Sequence, residues 1–230
     1  MDRLELKALG KINLGLDVLG RRENGYHDVR MVMQTVYLYD RIIMKKSKTP
    51  GIRLETNLYY LPVNENNLAY QAAQMLMDEF HMEEGVSIQL DKHIPVAAGM
   101  AAVLFGMNRM FSLGLSQKEL MERGVKLGAD VPYCIMRGTV LAEGIGEILT
   151  PLSPMPKCYV LIAKPAISVS TKMVYEKLDS HEIEDHPDID GMVTAVRNGD
   201  LDGMISRMGN VFEPGIIGKY PVIQEIKDLM

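Results

Sequence analysis

Apolar and polar positions alternate along the first stretch of the chain. Over residues 4–19, LELKALGKINLGLDVL, the apolar Ile12, Leu14, Leu16 and Val18 fall on one face and Lys11, Asn13, Gly15 and Asp17 on the other, as a strand with one buried face requires. The pattern breaks at Gly20, and Asn24-Gly25 within RRENGYHD is a hairpin-turn pair. Val32 to Met44 predicts the returning strand, with a polar turn, KKSKTPG, and a short strand after it. Leu68, Ala72, Leu76 and Phe80 recur at helical spacing behind Asn64 to Asn67, residues suited to cap a helix. Gly85 to Leu90 alternates again. A strand ending at Pro95 then passes through small residues into a helix over Ala101 to Phe111. The next helix, Gln117 to Leu127, opens at Ser116 and stops at Gly128. After Asp-Val-Pro come two apolar strands around the glycine turn EGIGE at 143–147.

LSPMP at 152–156 reads as a linker. Beyond it the pattern predicts a strand over Cys158 to Ala163, helices at about 171–178, 188–196 and 200–208, and a last amphipathic helix start in PVIQEIKDLM. Strands and helices mix without regular βαβ alternation, which points to an α+β fold with a boundary near 152–156. The length of 230 residues suits one large domain or two small ones. No apolar run approaches the roughly 18 to 20 residues of a membrane span, and the charged start, MDRLELKALG, lacks the apolar core of a secretion signal.

A net charge of −5 weighs against a nucleic-acid partner, because duplex binding rests on Lys and Arg neutralising phosphates. It leaves room for a small anionic ligand held by a local cluster. Cys134 and Cys158 have no metal-type spacing, and predict reduced core thiols in a cytoplasmic protein. The 18 methionines read as core packing.

Several residues are candidates for chemistry. Lys11 and Asn13, two apart on a strand, point to the same side. They form either an anion-receiving pair or the solvent face of a half-buried strand. Tyr26 and His27 follow the hairpin turn, where an aromatic ring and an imidazole can stack on and hydrogen-bond a base; an ordinary hairpin tip is the alternative. Pro95 to Met100 leads from strand to helix through Ala and Gly, so backbone N–H groups can approach a phosphate, or the segment is a tight packing turn. Asp130 in GADVPYC is either a helix N-cap or a carboxylate held at an active site.

Taken together, the ordered segments KINLGLDVLGRRENGYHDV, NNLAY, IPVAAGM, GADVPYC, AEGIGEILTP and VSTKMVYEKLD resemble the GHMP kinases, and within them the 4-diphosphocytidyl-2-C-methyl-D-erythritol kinases. The resemblance runs from about residue 4 to the end. It implies a two-domain α+β GHMP kinase fold. Residues 1–153 would form the ATP-binding domain, similar to ribosomal protein S5 domain 2, and 154–230 a smaller α+β substrate domain, incomplete here. It also implies ATP-dependent phosphorylation of the 2-hydroxyl of 4-diphosphocytidyl-2-C-methyl-D-erythritol on the non-mevalonate route to isoprenoid precursors, with Mg²⁺ as cofactor. The enzyme would be a cytoplasmic monomer or weak homodimer with no nucleic-acid or membrane partner.

By the same resemblance, Asp130 takes the proton of the attacking hydroxyl and Lys11 positions and activates that hydroxyl. Asn13 contacts the substrate, His27 reads the cytosine edge beside Tyr26, and Thr171 and Tyr175 close over the cytidine. Asn66 and Asn67 match the adenine region, Lys92 lies near the nucleotide, and Pro95, Ala97, Ala98, Gly99 and Met100 match the phosphate loop. Two departures stand out. The family's loop continues after Gly-Met with a Gly-Gly-Ser-Ser-type stretch, whereas Met100 here runs straight into AAVLFGMN. The family's last glycine-rich motif has no counterpart before Met230. The alternatives are another GHMP small-molecule kinase, and a catalytically impaired cytidine-ligand binding protein on the same fold.

Overall fold

The computed structural model describes residues 1–94, 98–180, 183 and 185–230, apart from the side chains of Ala98, Thr171 and Lys172. Its frame is a long antiparallel hairpin of β1 (Arg3–Arg21) and β2 (His27–Ser47). The Asn24-Gly25 turn closes it as expected. Gly25 takes φ +87, where only glycine is unstrained, and its N–H donates to the Arg22 carbonyl at 3.0 Å. Around this hairpin lie β3 (Ile52–Thr56), α1 (Leu68–Glu79), β4 (Gly85–Asp91), α2 (Ala98–Phe111) and α3 (Gln117–Gly124). There follow α4 (Val131–Met136), β5 (Thr139–Glu143), β6 (Ile148–Pro151), α5 (Thr171–Leu178) and α6 (Ile189–Asn198). The chain ends through α7 (Leu201–Ile205), β7 (Gly209–Asn210), α8 (Glu213–Lys219) and α9 (Val222–Leu229). The sheet order is β3-β4-β2-β1-β7, with β5 pairing both β2 and β6.

The methionines pack as their number suggested: Met33, Met44, Met107, Met110, Met192 and Met204 are among the largest fully buried side chains. One core lies between α1, α2 and the sheet, around Leu76, Leu104, Met107, Met44 and Ile88. A second joins Leu14 and Val32 to Ile189, Met192 and Val196 of α6, so the C-terminal part returns to cover the sheet. A third gathers Leu16, Val18, Met33 and Tyr133.

That division corrects the reading of β1 as one apolar face. The pairing slips between Asn13 and Gly15, which oppose Met33 and Val32. Such a bulge resets the alternation. Ile12 and Leu14 therefore pack toward α6, while Leu16 and Val18 belong to the core around Tyr133. Gly15 does not share the face of Lys11: a Cβ there would lie 2.8 Å from Ile189 Cδ1 and 3.1 Å from Met192 Sδ. Asp17 is buried, and its Oδ1 is 2.7 Å from Nδ1 of His186.

Four other expectations change. The segment after Asp130 is a helix, α4, before the strands begin. Cys158 to Ala163 is not a strand and is exposed: no neighbouring strand offers it a ladder among the described residues, and a strand exists only by pairing. Cys158 is accordingly an exposed free thiol rather than a core residue, while Cys134 is half-buried and also free. The helix expected over 200–208 stops at Ile205, and the chain turns into β7 beside Gly15 and Leu16.

Candidate active site

Lys11 lies on β1 directly across from Thr35 of β2. Its Nζ is 3.2 Å from Asn13 Oδ1 and 3.2 Å from Asp130 Oδ1. The same-side placement of Lys11 and Asn13 is thus present, and both polar partners of the ammonium are candidates named from the sequence. Asp130 occupies the N-cap position of α4, yet its side chain makes no capping hydrogen bond. The carboxylate is turned to the lysine instead, and at 43% side-chain exposure it remains open to a ligand. Between the two readings of Asp130, this geometry favours the site over the cap.

The local sequence explains how α4 holds that carboxylate still. Pro132 sits in the first turn, where a missing N–H costs nothing. Val131 and Tyr133 are buried. The Tyr133 hydroxyl donates to the Gly138 carbonyl at 2.8 Å and lies 2.9 Å from Thr35 Oγ1, which accepts from the Gly138 N–H at 3.0 Å. Thr35 is the register partner of Lys11, so one partly buried polar knot ties the helix bearing Asp130 to the strand facing Lys11. Burial raises the Tyr133 phenol far above its ordinary range, so it stays a neutral donor. Burial, with Asp130 adding to it, pushes the Cys134 thiol up to about 11. Neither Tyr133 nor Thr35 stood out in the sequence, because a hydroxyl pair brought together by the fold has no spacing signature.

A second cluster surrounds His27. Its ring stacks on Tyr175 with centroids 4.4 Å apart and 23° between planes, and Phe212 meets Tyr175 edge-on at 4.9 Å. His27 Nε2 is 2.6 Å from Asp179 Oδ1. Arg21, Gly25, Tyr26, His27, Ile145 and Tyr175 are among the residues lining a cavity of about 360 Å³ there. Tyr26 is largely exposed, poised at the rim. Burial raises the Tyr175 phenol, with the Asp130 charge as the lesser cause, an electrostatic link between the two clusters. Asp179, 152 residues from His27 in the chain, could not have been paired with it from the sequence.

The remaining candidates are placed elsewhere. Asn67 is the N-cap of α1: its Oδ1 accepts from Ala69 N at 2.8 Å and its Nδ2 donates to the Pro62 carbonyl at 2.8 Å. Asn66 is exposed, its N–H held by Asn64 Oδ1 at 3.1 Å. The Lys92 ammonium is paired with the fully buried Asp40, whose Oδ1 also accepts from the N–H groups of His93 at 2.7 Å and Ile94 at 2.9 Å. Pro95 and Ala97 lie outside the described residues, as do the side chains of Ala98 and Thr171. Gly99 and Met100 sit in the first turn of α2, where helix N–H groups and the dipole suit an anion. The helix runs unbroken across Met100–Ala101, with no hydroxyl side chain in its first turns.

The fold, a sheet built on a long antiparallel hairpin and covered by helices, is that of the GHMP kinases. The GHMP kinases N terminal domain matches residues 67–138. The 4-diphosphocytidyl-2-C-methyl-D-erythritol kinase of Lachnospira eligens is 58% identical over 99% of this chain and 81% of its own length. That of Alkaliphilus metalliredigens is 47% identical over 100% and 81%. A crystal structure of 4-(cytidine 5'-diphospho)-2C-methyl-D-erythritol kinase superposes with TM-score 0.75 at 25% identity, covering 97% of this chain and 81% of that one. A homoserine kinase from Cytophaga hutchinsonii shares the fold at TM-score 0.63 and 17% identity, over 91% of this chain and 72% of its own. The chain belongs to the 4-diphosphocytidyl-2-C-methyl-D-erythritol kinase family of the GHMP kinases, ATP-dependent small-molecule kinases. The match to the Lachnospira relative spans 234 positions, more than this chain has residues, so that relative carries residues where this chain has none.

Proposed function

We propose that this chain transfers the terminal phosphoryl group of ATP to the 2-hydroxyl of 4-diphosphocytidyl-2-C-methyl-D-erythritol, the substrate named for its relatives. The observation that carries the reading is Asp130 facing Lys11 at 3.2 Å from an N-cap position it does not use for capping. Phosphoryl transfer asks mainly for positioning and charge stabilisation. The acceptor hydroxyl binds between the two side chains. Asp130 accepts its proton as the bond to phosphorus forms, and Lys11, steadied by Asn13, orients the hydroxyl and offsets the developing charge. The cytidine end lies in the His27, Tyr26 and Tyr175 cavity, with the boundary between nucleotide-binding and substrate-binding parts near residue 153.

The first turn of α2 receives the phosphates. Among the described residues no group of three or more His, Cys, Asp or Glu side chains is arranged to hold a metal ion. Mg²⁺, when bound with the nucleotide, would supply charge neutralisation on the phosphates. A deciding assay is ADP release with the cytidine substrate for the wild type and Asp130→Asn. Turnover should fall roughly 10²- to 10⁴-fold, as for loss of a proton acceptor, with binding of the cytidine ligand retained. Equal turnover removes Asp130 from the mechanism.

The unbroken start of α2, without the hydroxyls of a glycine- and serine-rich loop, favours one second reading: a cytidine-ligand binder with impaired transfer. Ligand binding with no ADP production in the wild type selects it.

A further inference from the structure

We propose that Asp179 is a positioning residue: it fixes the tautomer of His27 and so makes the imidazole select a cytosine over a uracil. The inference rests on the cytidine diphosphate substrate proposed above. Tyr175 and Asp179 stand four residues apart at the end of α5, and thus on one side of it. Tyr175 takes the face of the His27 ring, and Asp179 takes its edge, at 2.6 Å from Nε2. The ring is thereby fixed in plane and rotation, with its side chain only 8% exposed.

An ionised carboxylate only accepts hydrogen bonds, so Nε2 carries the hydrogen. Asp179 Oδ2 lies 3.3 Å from Arg21 Nη1, so the arginine holds the carboxylate from its other side. Nδ1 is left with a lone pair, and among the described residues no hydrogen bond reaches it. Cytosine presents an exocyclic amine, a donor, where uracil presents a carbonyl, an acceptor. A lone pair on Nδ1 bonds the first and repels the second. Reading of this kind is stringent because a mismatch leaves a polar group without a partner.

The test uses CDP and UDP as probes of the full chain by titration calorimetry, alongside long-range ¹H–¹⁵N spectra of the histidine rings. The wild type should show His27 as the Nε2–H tautomer and bind CDP at least about tenfold more tightly than UDP, the worth of one hydrogen bond. In Asp179→Asn, Arg21 keeps the amide oxygen and the amide NH₂ faces Nε2. The proton then moves to Nδ1, CDP weakens, UDP gains, and the ratio falls to about one or below. A wild-type spectrum with the proton on Nδ1 overturns the proposal without any variant. A preference for CDP that survives unchanged in Asp179→Asn overturns it while leaving the substrate reading intact. A wild type that binds neither nucleotide overturns the substrate reading, and the selectivity with it.

Discussion

Lys92 is where the family resemblance and the coordinates ask for different chemistry, and substitution separates them. The resemblance puts this lysine near the nucleotide. In the structure its ammonium, 10% exposed, meets a carboxylate, Asp40, that is wholly inaccessible. Asp40 is fully occupied: one oxygen accepts two backbone N–H groups and the other takes the lysine. Those N–H groups belong to His93 and Ile94, where the chain leaves β4 on its way to α2. Breaking a buried ion pair on one side costs about 3 to 5 kcal/mol, because a charge is left without its partner. Lys92→Met leaves Asp40 with two hydrogen bonds, which places its cost near the lower end, at about 3 kcal/mol. Asp40→Ala strands the lysine and both N–H groups together, and its cost lies at about 5 kcal/mol or above. Urea unfolding followed by circular dichroism measures both through a shift of midpoint at constant slope. The ordering matters as much as the size, since a surface pair gives about 0 to 1 kcal/mol from either side. A Lys92→Met protein that unfolds within about 0.5 kcal/mol of wild type, yet shows a KM for ATP raised tenfold or more, refutes the structural role and returns Lys92 to the nucleotide.

Tyr133→Phe removes the hydroxyl that ties α4 to Gly138 and Thr35; unfolding should cost about 1 to 3 kcal/mol and turnover should fall, and a variant matching wild type in both sinks the idea that this tie holds Asp130 in place. At pH 8, a thiol reagent should modify Cys158 rapidly and Cys134 slowly, because burial pushes Cys134 up to about 11; since that folded value is raised, its stabilising contribution is present below the ordinary thiol range and lost as pH rises toward about 11. Two fast equivalents in the labelling would contradict the burial. Hydrogen bonds from Arg123, Arg22, Arg30 and the Ser116 hydroxyl hold Glu79, Asp28, Asp190 and Glu119 below the usual carboxylate range. Depressed folded values give stability that is present at neutral pH and lost as pH falls below about 4, so the melting temperature should drop between pH 5 and pH 3 and would have to stay flat for the pairing to be irrelevant.

The hairpin, α1 with its Asn67 cap, the start of α3 at Ser116 and the strands flanking EGIGE were legible because each is a local device: a turn pair, a cap, a period of two or 3.6. The Cys158–Ala163 run shows the limit of that logic. Its apolar, β-branched composition is right for a strand, but pairing is a property of the neighbours, and among the described residues there are none. The bulge in β1 shows another limit. Alternation across Ile12, Leu14, Leu16 and Val18 is perfect on paper, and one slipped residue at Leu14 sends half of the set to each side of the sheet.

The site divides along the same line. Lys11 and Asn13 are two apart on one strand, so their juxtaposition is local and readable. Asp130 joins them only through the tertiary fold, and the residues around it alone favoured an N-cap over a site carboxylate. What separates the roles is where the carboxylate points, toward Lys11 at 3.2 Å, on a helix tied to the sheet by the Tyr133 and Thr35 hydroxyls, 98 residues apart. A capping aspartate would stabilise α4 by bonding to its first-turn N–H groups. Here that stabilisation is forgone, and the helix start is held by Val131, Pro132 and the Tyr133 knot instead. A carboxylate withheld from the cap it stands on, partly open to solvent and facing an ammonium, is a local cost with no structural return. Such an arrangement is intelligible where the carboxylate has a ligand to meet.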